Sequence, residues 1–192
     1  MQTIIRLGRA AKYRDNDTGM HIIRMSLFCR ELAKALGLSR RECDMIEHAT
    51  PMHDVGKIGI PDKILLKPGK LDPDEWEIMK THAAIGAEIL SGSQSDILNL
   101  AEIIALTHHE KWDGSGYPKG LKGEEIPQVG RLTAICDVFE ALTSGRPYKR
   151  AWSLGDALSH IKEQRGYHFD PDMVPLFLDV VPRISDNEYR TA

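Results

Sequence analysis

The 192-residue sequence lacks the features that mark several classes of protein. Its three cysteines, Cys29, Cys43 and Cys136, have no C-x-x-C spacing, which argues against a cysteine zinc site and predicts buried free thiols. No apolar run approaches the roughly 18 residues of a membrane span. A formal net charge of -3 gives no basis for general binding to nucleic acid or to a membrane surface. The first residues become charged too early for a secretory signal, so we expect a cytoplasmic protein.

Strand patterns are also missing, and helical periodicity runs through most of the chain. Helix starts are marked by a capping box from Ser39 to Glu42, by Asp72 before a proline, and by Ser153. The sequence therefore predicts an all-α protein with one domain over residues 1–192, a bundle of about seven to eight helices.

Several segments carry more specific expectations. Residues 1–14 have helical spacing without a cap, which predicts the end of a linker helix from an upstream domain. Residues 183–192 are predicted to be a tail. The stretch LDPDEWEIMKTHAAIGAEIL, residues 71–90, predicts one continuous helix with His82 at its middle. Residues 110–128 form the longest irregular segment, and a loop of that length inside a compact domain is usually functional or disordered.

Side chains of the metal-ligand type occur in five places. They are Asp17 with His21, His53 with Asp54, His82, His108 with His109, and Asp137. Imidazole mixed with carboxylate is typical of iron, manganese, zinc or nickel sites more than of magnesium or calcium sites. A single histidine within a helix is more often a hydrogen-bonded structural residue than a ligand, so His82 alone decides nothing.

Adjacent residues on a helix point about 100° apart, so His108 and His109 can share one target only where a helix ends. The glycine-rich sequence DGSGYP that follows them is consistent with such an end. The same reasoning applies to His53 and Asp54, which glycines follow. Asp137 has apolar neighbours on both sides, and a buried carboxylate needs a cation, a hydrogen-bonding cage or a metal ion.

Five segments of the sequence together resemble the HD-GYP family, a branch of the HD phosphohydrolases. They are YRDNDTGMH, HDVGKIGIPDKILLKPGKLDPDEWEIMKTH, HHEKWDGSGYP, RLTAICDVFEALTSGRPYKRA and GYHFDP. The resemblance implies an HD-type helical bundle with a long GYP loop. It also implies a bacterial signalling enzyme, a phosphodiesterase that hydrolyses cyclic di-GMP with two or three metal ions, commonly iron or manganese.

The resemblance further implies which residues hold the metal ions. The first ion would be bound by His21, His53, Asp54 and Asp137, and the second by His82, His108 and His109, with Asp54 bridging the two. Two such ions can activate a shared hydroxide and hold the phosphodiester for attack. Asp54 is thereby the central catalytic residue, while nickel and zinc stay open as alternatives to iron and manganese.

Substrate contacts follow from the same resemblance. Lys57 would act in catalysis by binding a phosphate oxygen and offsetting its developing charge. Gly116 and Tyr117 of the GYP loop would contact a guanine or the nucleotide backbone. Arg146 and Lys149 would hold phosphate, for which arginine is suited by its two-pronged geometry.

One position departs from the family pattern. Many members have Glu-Thr-Gly-x-His where this chain has DTGMH, from Asp17 to His21. The resemblance assigns that glutamate to a third metal ion, and aspartate is one methylene shorter. We therefore expect two ions, and the end product, the linear dinucleotide pGpG or GMP, stays open.

Aromatic residues make up 6% of the chain. Trp76 and Trp112 are both expected to be packing residues first. Of the two, Trp112 is the better candidate for a ligand contact because it lies in the loop.

Two further functions stay open at this point. The domain could be a receptor with little turnover, binding cyclic di-GMP, or an interaction module that contacts a GGDEF-type diguanylate cyclase domain through the loop. It could instead be a phosphodiesterase for a mixed GMP–AMP cyclic dinucleotide, since no motif fixes the base. The resemblance also implies an upstream receiver or other sensor domain, and a homodimer through the first helix is an additional expectation.

Overall fold

The structure, a computed structural model, describes residues 19–145 and 150–188, with the side chains of residues 19–22, 183 and 185–188 outside that description. The helices in chain order are α1 Gly19–Ala35, α2 Arg40–Ala49, α3 Asp62–Leu65, α4 Pro73–Lys80, α5 His82–Leu90, α6 Asp96–Thr107, α7 Gln128–Thr143, α8 Leu154–Glu163 and α9 Met173–Glu188. Short 3-10 turns span Thr50–Met52, Val55–Gly59 and Gly123–Glu125. The described ranges contain no strand, which confirms the all-α prediction. Within them, no helix combines the length and apolar character needed to cross a membrane.

The predicted capping residues do start their helices. At α2, the Ser39 hydroxyl accepts a hydrogen bond from the Glu42 amide at 3.3 Å, and the Glu42 carboxylate accepts one from the Ser39 amide at 2.8 Å. Asp72 and Glu75 form the same reciprocal pair at α4, with both distances 2.9 Å. Ser153 caps α8. These bonds satisfy amides that the first turn of a helix leaves without partners.

The predicted continuous helix over residues 71–90 is wrong, because the chain breaks at Thr81 between α4 and α5. The Thr81 hydroxyl donates to the Ile78 carbonyl at 2.6 Å, a local bond that competes with regular helix geometry. No glycine or proline marks the break. His82 is therefore the first residue of α5 and lies beside the end of α4, not in the middle of a helix.

The structure describes the C-terminal segment as far as Glu188 but not the N-terminal segment. Residues 1–14, predicted to be a linker helix, lie outside the described residues. The predicted tail at residue 183 begins too early, because α9 runs on to Glu188.

Two apolar clusters form the core. The larger one joins α1, α2, α7, α8 and α9, and its centre is a set of rings in which Phe139 lies 5.2 Å from both Phe28 and Phe177. All three cysteines are buried and free, as predicted. The smaller cluster includes Met52 and Ile104 and packs α6 against the turns that follow α2. This second cluster fixes the segment that carries His53 and Asp54.

Candidate metal centre

Asp54 lies at the centre of a group of histidines, between two 3-10 turns. Its Oδ1 is 3.4 Å from His82 Nε2 and 3.7 Å from His108 Nε2. Its Oδ2 is 3.1 Å from His53 Nε2 and 2.9 Å from Lys57 Nζ. Both oxygens of one buried carboxylate therefore face imidazole nitrogens supplied by three different parts of the chain.

The backbone of the preceding turn orients three of these imidazoles. The distances from Nδ1 to a carbonyl oxygen are 2.9 Å from His53 to Thr50, 2.7 Å from His82 to Met79 and 3.0 Å from His108 to Ile104. A carbonyl can only accept a hydrogen bond, so this network assigns the proton to Nδ1 in each neutral ring. Each Nε2 then presents its lone pair toward Asp54, which is the arrangement that a metal-binding histidine requires.

The position of the paired histidines follows from the end of α6. The helix stops at Thr107, and His108 is its C-cap residue. His109 can then turn so that its Nε2 lies 3.1 Å from His82 Nε2. The prediction that the pair converges because the helix ends is confirmed.

The chemistry of this group fits a divalent metal ion. One donor atom from each of Asp54, His82, His108 and His109 lies within 4.8 Å of the others. His108 Nε2 is buried and makes no hydrogen bond within the part of the chain that the structure describes. A buried nitrogen without a hydrogen-bond partner is costly, and a cation between the rings and the carboxylate would satisfy it.

The protonation states of Asp54, His82 and His109 also favour metal binding. Burial alone would raise the pKa of Asp54, but the positive charge of Lys57 and the contact with His53 hold this pKa well below its ordinary value. Burial lowers the pKa of His82 to about 4, against the weaker opposing effect of Asp54. Burial also holds the pKa of His109 well below its ordinary value. Near neutral pH an ionised Asp54 carboxylate therefore faces neutral imidazoles at His82 and His109, the forms that bind metal.

Asp137 joins the group from the opposite side. Its Oδ1 lies 3.8 Å from His53 Nε2, and its side chain is half-buried in α7. The donors thus fall into two sets, with His53 and Asp137 on one side of Asp54 and the other three histidines on the other. Of the remaining predicted positions, Asp17, Arg146, Lys149 and the side chain of His21 lie outside the described residues.

Glu110 anchors the loop that follows the paired histidines. Its carboxylate is buried and accepts hydrogen bonds from the amides of Lys119 at 2.7 Å and Leu121 at 3.0 Å. The residue comes directly after the predicted ligands, but sequence reasoning gave it no role. The available signal was its position, because an acidic residue directly after the end of a helix can be buried with that end.

Replacing Glu110 with glutamine should destabilise this loop. One amide hydrogen bond would be lost, because the side-chain NH2 group would face a backbone donor. We expect the free energy of unfolding to fall by about 1–3 kcal/mol, measured by urea denaturation together with the rate of proteolysis in the loop. Glu124→Gln removes the same charge from an exposed position in the same loop. It should leave the unfolding free energy and the rate of proteolysis unchanged. Equal behaviour of the two variants would contradict the anchoring role.

The loop returns to the candidate metal ligands through Gly116 and Tyr117. A Cβ atom on Gly116 would lie 2.3 Å from the Lys111 amide nitrogen, so glycine is needed for the close backbone approach. Tyr117, which precedes a cis peptide bond to Pro118, stacks on His109 with ring centres 4.7 Å apart. Burial raises the pKa of the Tyr117 hydroxyl, which therefore stays protonated near neutral pH.

The outer side of the loop is tied to the segment before α9. Trp112 donates its amide to the His168 carbonyl at 3.0 Å, and the His168 ring stacks on Phe169 with ring centres 4.3 Å apart. Burial lowers the pKa of His168 to about 4, with a smaller contribution from the positive charge of Lys111. This ring is thus kept neutral in the folded protein.

His168 should make the metal-free protein less stable in acid. Unfolded histidine binds a proton near pH 6.5, so its contribution to stability is complete above that value and is lost as pH falls toward 4. We expect this loss to reach about 2–3 kcal/mol. His168→Gln should reduce the difference in unfolding free energy between pH 7 and pH 4.5 by that amount, with chelator present. Tyr167→Phe, which changes a neighbouring exposed ring but removes no imidazole, should retain the wild-type difference.

A cavity of about 350 Å³ opens above the candidate metal ligands. Its floor includes Asp54, Lys57, His82, His109 and Asp137, and its walls include Met25, Ile64, Lys67, Trp76, Met79, Tyr117 and Glu140. The cavity was not predicted to include Lys67, Trp76 or Glu140. Trp112, expected to be the better candidate of the two tryptophans for a ligand contact, is not among the residues that line this cavity, and its ring centre lies 5.7 Å from the Arg131 guanidinium carbon. The i, i+3 spacing of Trp76 and Met79, which places both on one helical face, was the signal that could have identified this wall.

Comparison with known proteins agrees with the all-helical fold. The sequence pattern of the HD domain family matches residues 5–173. The chain is 52% identical over 177 residues to the cyclic di-GMP phosphodiesterase response regulator RpfG of Xanthomonas campestris, covering 92% of this chain and 47% of that protein. It is 48% identical over 180 residues to a cyclic di-GMP phosphodiesterase of Thermotoga maritima, covering 94% and 49%. The chain belongs to the HD domain family, in its HD-GYP branch.

A third relative and two solved structures add detail. The chain is 48% identical over 178 residues to the 3'3'-cGAMP-specific phosphodiesterase 2 of Vibrio cholerae, covering 93% of this chain and 34% of that protein. The chain therefore spans half or less of the length of these relatives. The fold is shared with the cyclic GMP-AMP-specific phosphodiesterase V-cGAP3 of V. cholerae, at a TM-score of 0.70, 20% identity and coverage of 94% and 48%. It is also shared with the PgpH HD domain of L. monocytogenes, at a TM-score of 0.63, 14% identity and coverage of 97% and 98%.

Proposed function

We propose that this domain is a phosphodiesterase that hydrolyses cyclic di-GMP to linear pGpG. The observation that carries the proposal is the convergence of three backbone-oriented imidazoles on Asp54, at the floor of a cavity lined by Lys57. The named activities of relatives at 48–52% identity support the same substrate class.

The residues at the floor have distinct roles in this reaction. Divalent metal ions, when bound, supply Lewis-acid activation of water and of the phosphodiester. The chain contributes the donor atoms and keeps Asp54 ionised between the two donor sets. Lys57 Nζ, held 2.9 Å from Asp54 Oδ2, supplies a positive charge that offsets charge developing on a phosphate oxygen. Tyr117 covers His109 and shields that side of the floor from water.

We propose two ions, one on each side of Asp54. His53 and Asp137 serve one ion, with His21 as a further ligand, and His82, His108 and His109 serve the other. Mixed imidazole and carboxylate donors suit iron or manganese, and also nickel or zinc. With aspartate at position 17, a third ion is not part of the proposal, and pGpG is the expected end product in preference to GMP.

The mixed GMP–AMP cyclic dinucleotide is a second candidate substrate. The observation that favours it is the 48% identity to a V. cholerae phosphodiesterase named for 3'3'-cGAMP. The two substrates share the phosphodiester that the floor would bind and differ in one base. Discrimination between them therefore depends on the cavity walls.

The proposal for the cellular setting follows the family. Residues 1–192 are proposed to form one cytoplasmic bacterial HD-GYP domain, with residues 1–14 as a linker helix from an upstream receiver or sensor. A GGDEF-type cyclase domain is a proposed partner of the GYP loop, and homodimerisation through the first helix is a further proposal. The greater lengths of the relatives, and the fact that one of them is a response regulator, support this setting.

The test is a product assay combined with metal analysis. The protein is purified anaerobically, loaded with Fe(II) or Mn(II), and incubated with cyclic di-GMP or 3'3'-cGAMP while products are separated by chromatography. We expect two ions per chain and pGpG from cyclic di-GMP, with no product when chelator is present. Two bound ions with no turnover of either substrate over hours would overturn the proposal. Tight binding without product, measured by calorimetry, would instead identify a receptor.

A further inference from the structure

The wall of the cavity formed by α4 is not explained by packing. None of the eight residues of this helix is buried, so the helix adds little to the hydrophobic core. Trp76, its largest side chain, is 46% exposed and lines the cavity above the metal ligands. Keeping an indole half in water is unfavourable unless another group covers it, because large aromatic surfaces gain free energy on burial.

The position of this helix is fixed by polar contacts near the cavity. The Lys67 ammonium pairs with the Glu75 carboxylate and lies 3.9 Å from an oxygen of Asp72. Asp72 and Glu75 also form the capping box of α4. The segment before α4 is therefore joined to the first turn of α4 directly beside Trp76. These contacts position the helix that carries the indole but do not bury the indole.

Trp76 and Tyr117 together form a corner suited to a flat aromatic ligand. Their ring centres are 6.0 Å apart and their planes are inclined at 84°. A planar ring that stacks on the indole can meet Tyr117 along its edge, which is a favourable aromatic geometry. Tyr117 in turn stacks on His109, so the corner is two ring contacts from a proposed metal ligand. A base is joined to its phosphate through one sugar, and the corner and Asp54 line the same cavity.

We propose that Trp76 is the stacking residue of a purine subsite, which holds one base of the cyclic dinucleotide whose phosphodiester lies at Asp54. This inference rests on the proposed function and adds the residue that holds the base. Stacking on an aromatic side chain tolerates any purine. The subsite therefore contributes affinity for both candidate substrates and does not by itself select between guanine and adenine.

The first test compares steady-state kinetics of matched tryptophan variants. Stacking acts equally in the bound substrate and in the transition state, so its loss raises KM and leaves kcat nearly unchanged. For Trp76→Leu we expect KM to rise about tenfold or more with both substrates, and for Trp76→Phe by a smaller factor. Trp152→Leu, at a comparably exposed tryptophan that contacts His160 on α8, should have the wild-type KM. A KM for Trp76→Leu within about twofold of wild type would overturn the subsite.

The second test uses fluorescence and needs no turnover. The chain has three tryptophans, so Trp112→Phe with Trp152→Phe leaves Trp76 as the sole indole. Cyclic di-GMP added with chelator should quench this protein saturably, and it should not quench the matched protein that retains only Trp152. If the metal-loaded wild type fails to hydrolyse either substrate, the proposed function is wrong and this titration still decides the subsite. Absence of saturable quenching in that case would reject it.

Discussion

Replacing Asp54 with asparagine should lower the rate of cyclic di-GMP hydrolysis by about 10³-fold or more. The carboxylate faces His82 and His108 with one oxygen and His53 and Lys57 with the other. An amide of the same shape removes the negative charge and directs N–H bonds at one of these sides. We expect fewer than two ions per chain, measured by inductively coupled plasma mass spectrometry alongside kcat.

The matched control for that substitution is Asp74→Asn. Asp74 is exposed in the first turn of α4, so the same chemical change there should preserve both the metal content and kcat. Circular dichroism should show unchanged helical content in both variants. Substantial turnover by Asp54→Asn with two ions still bound would remove Asp54 from the centre of the mechanism.

Gly56→Ala should have a comparably large effect through the backbone. An added Cβ would lie 2.0 Å from the carbonyl oxygen of His82 and 2.4 Å from the amide nitrogen of Gly86. Both are main-chain atoms of α5, so they cannot move aside as a flexible side chain would. The helix must shift, and His82 must leave its position 3.4 Å from Asp54. We expect a loss of about 2–4 kcal/mol in unfolding free energy and a 10–100-fold loss of metal affinity.

A glycine in another helix provides the control for this prediction. Gly155 lies exposed in α8, and the nearest contact of an added Cβ would be the Ser153 hydroxyl at an ordinary 3.9 Å. Gly155→Ala should therefore be neutral or slightly stabilising, because alanine has the higher helix propensity. Urea denaturation and calorimetric metal titration of both variants would check the pair. Wild-type stability and metal affinity in Gly56→Ala would show that α5 does not depend on this contact.

The sequence was most informative where local chemistry controls the structure. Capping residues such as Ser39 and Asp72 satisfy amides of their own helix, so their effect is independent of the rest of the fold. The convergence of His108 and His109 was also predictable, since it requires only that a helix end there. The match of separate motifs to one family then related distant segments that no single pattern could join.

Features that depend on distant contacts could not be predicted in this way. The break at Thr81 has no glycine or proline, and it becomes understandable only when His82 is seen beside Asp54. The cavity wall at Trp76 was missed because exposure, which distinguishes it from a packing residue, is a property of the folded chain. Glu110 was missed because it accepts from the backbone amides of Lys119 and Leu121, and every residue type except proline provides such an amide.

The backbone acceptors behind the histidines affect how the protein tolerates mutation. His53, His82 and His108 each have Nδ1 held by a carbonyl from the preceding three or four residues. A carbonyl is supplied by every amino acid, so changing the side chains at Thr50, Met79 or Ile104 does not delete the acceptor. We therefore expect the imidazoles to keep their orientation when these three side chains are substituted, provided that the backbone turns are retained. The orientation of the three imidazoles thus depends on the path of the main chain and not on the side chains at these three positions.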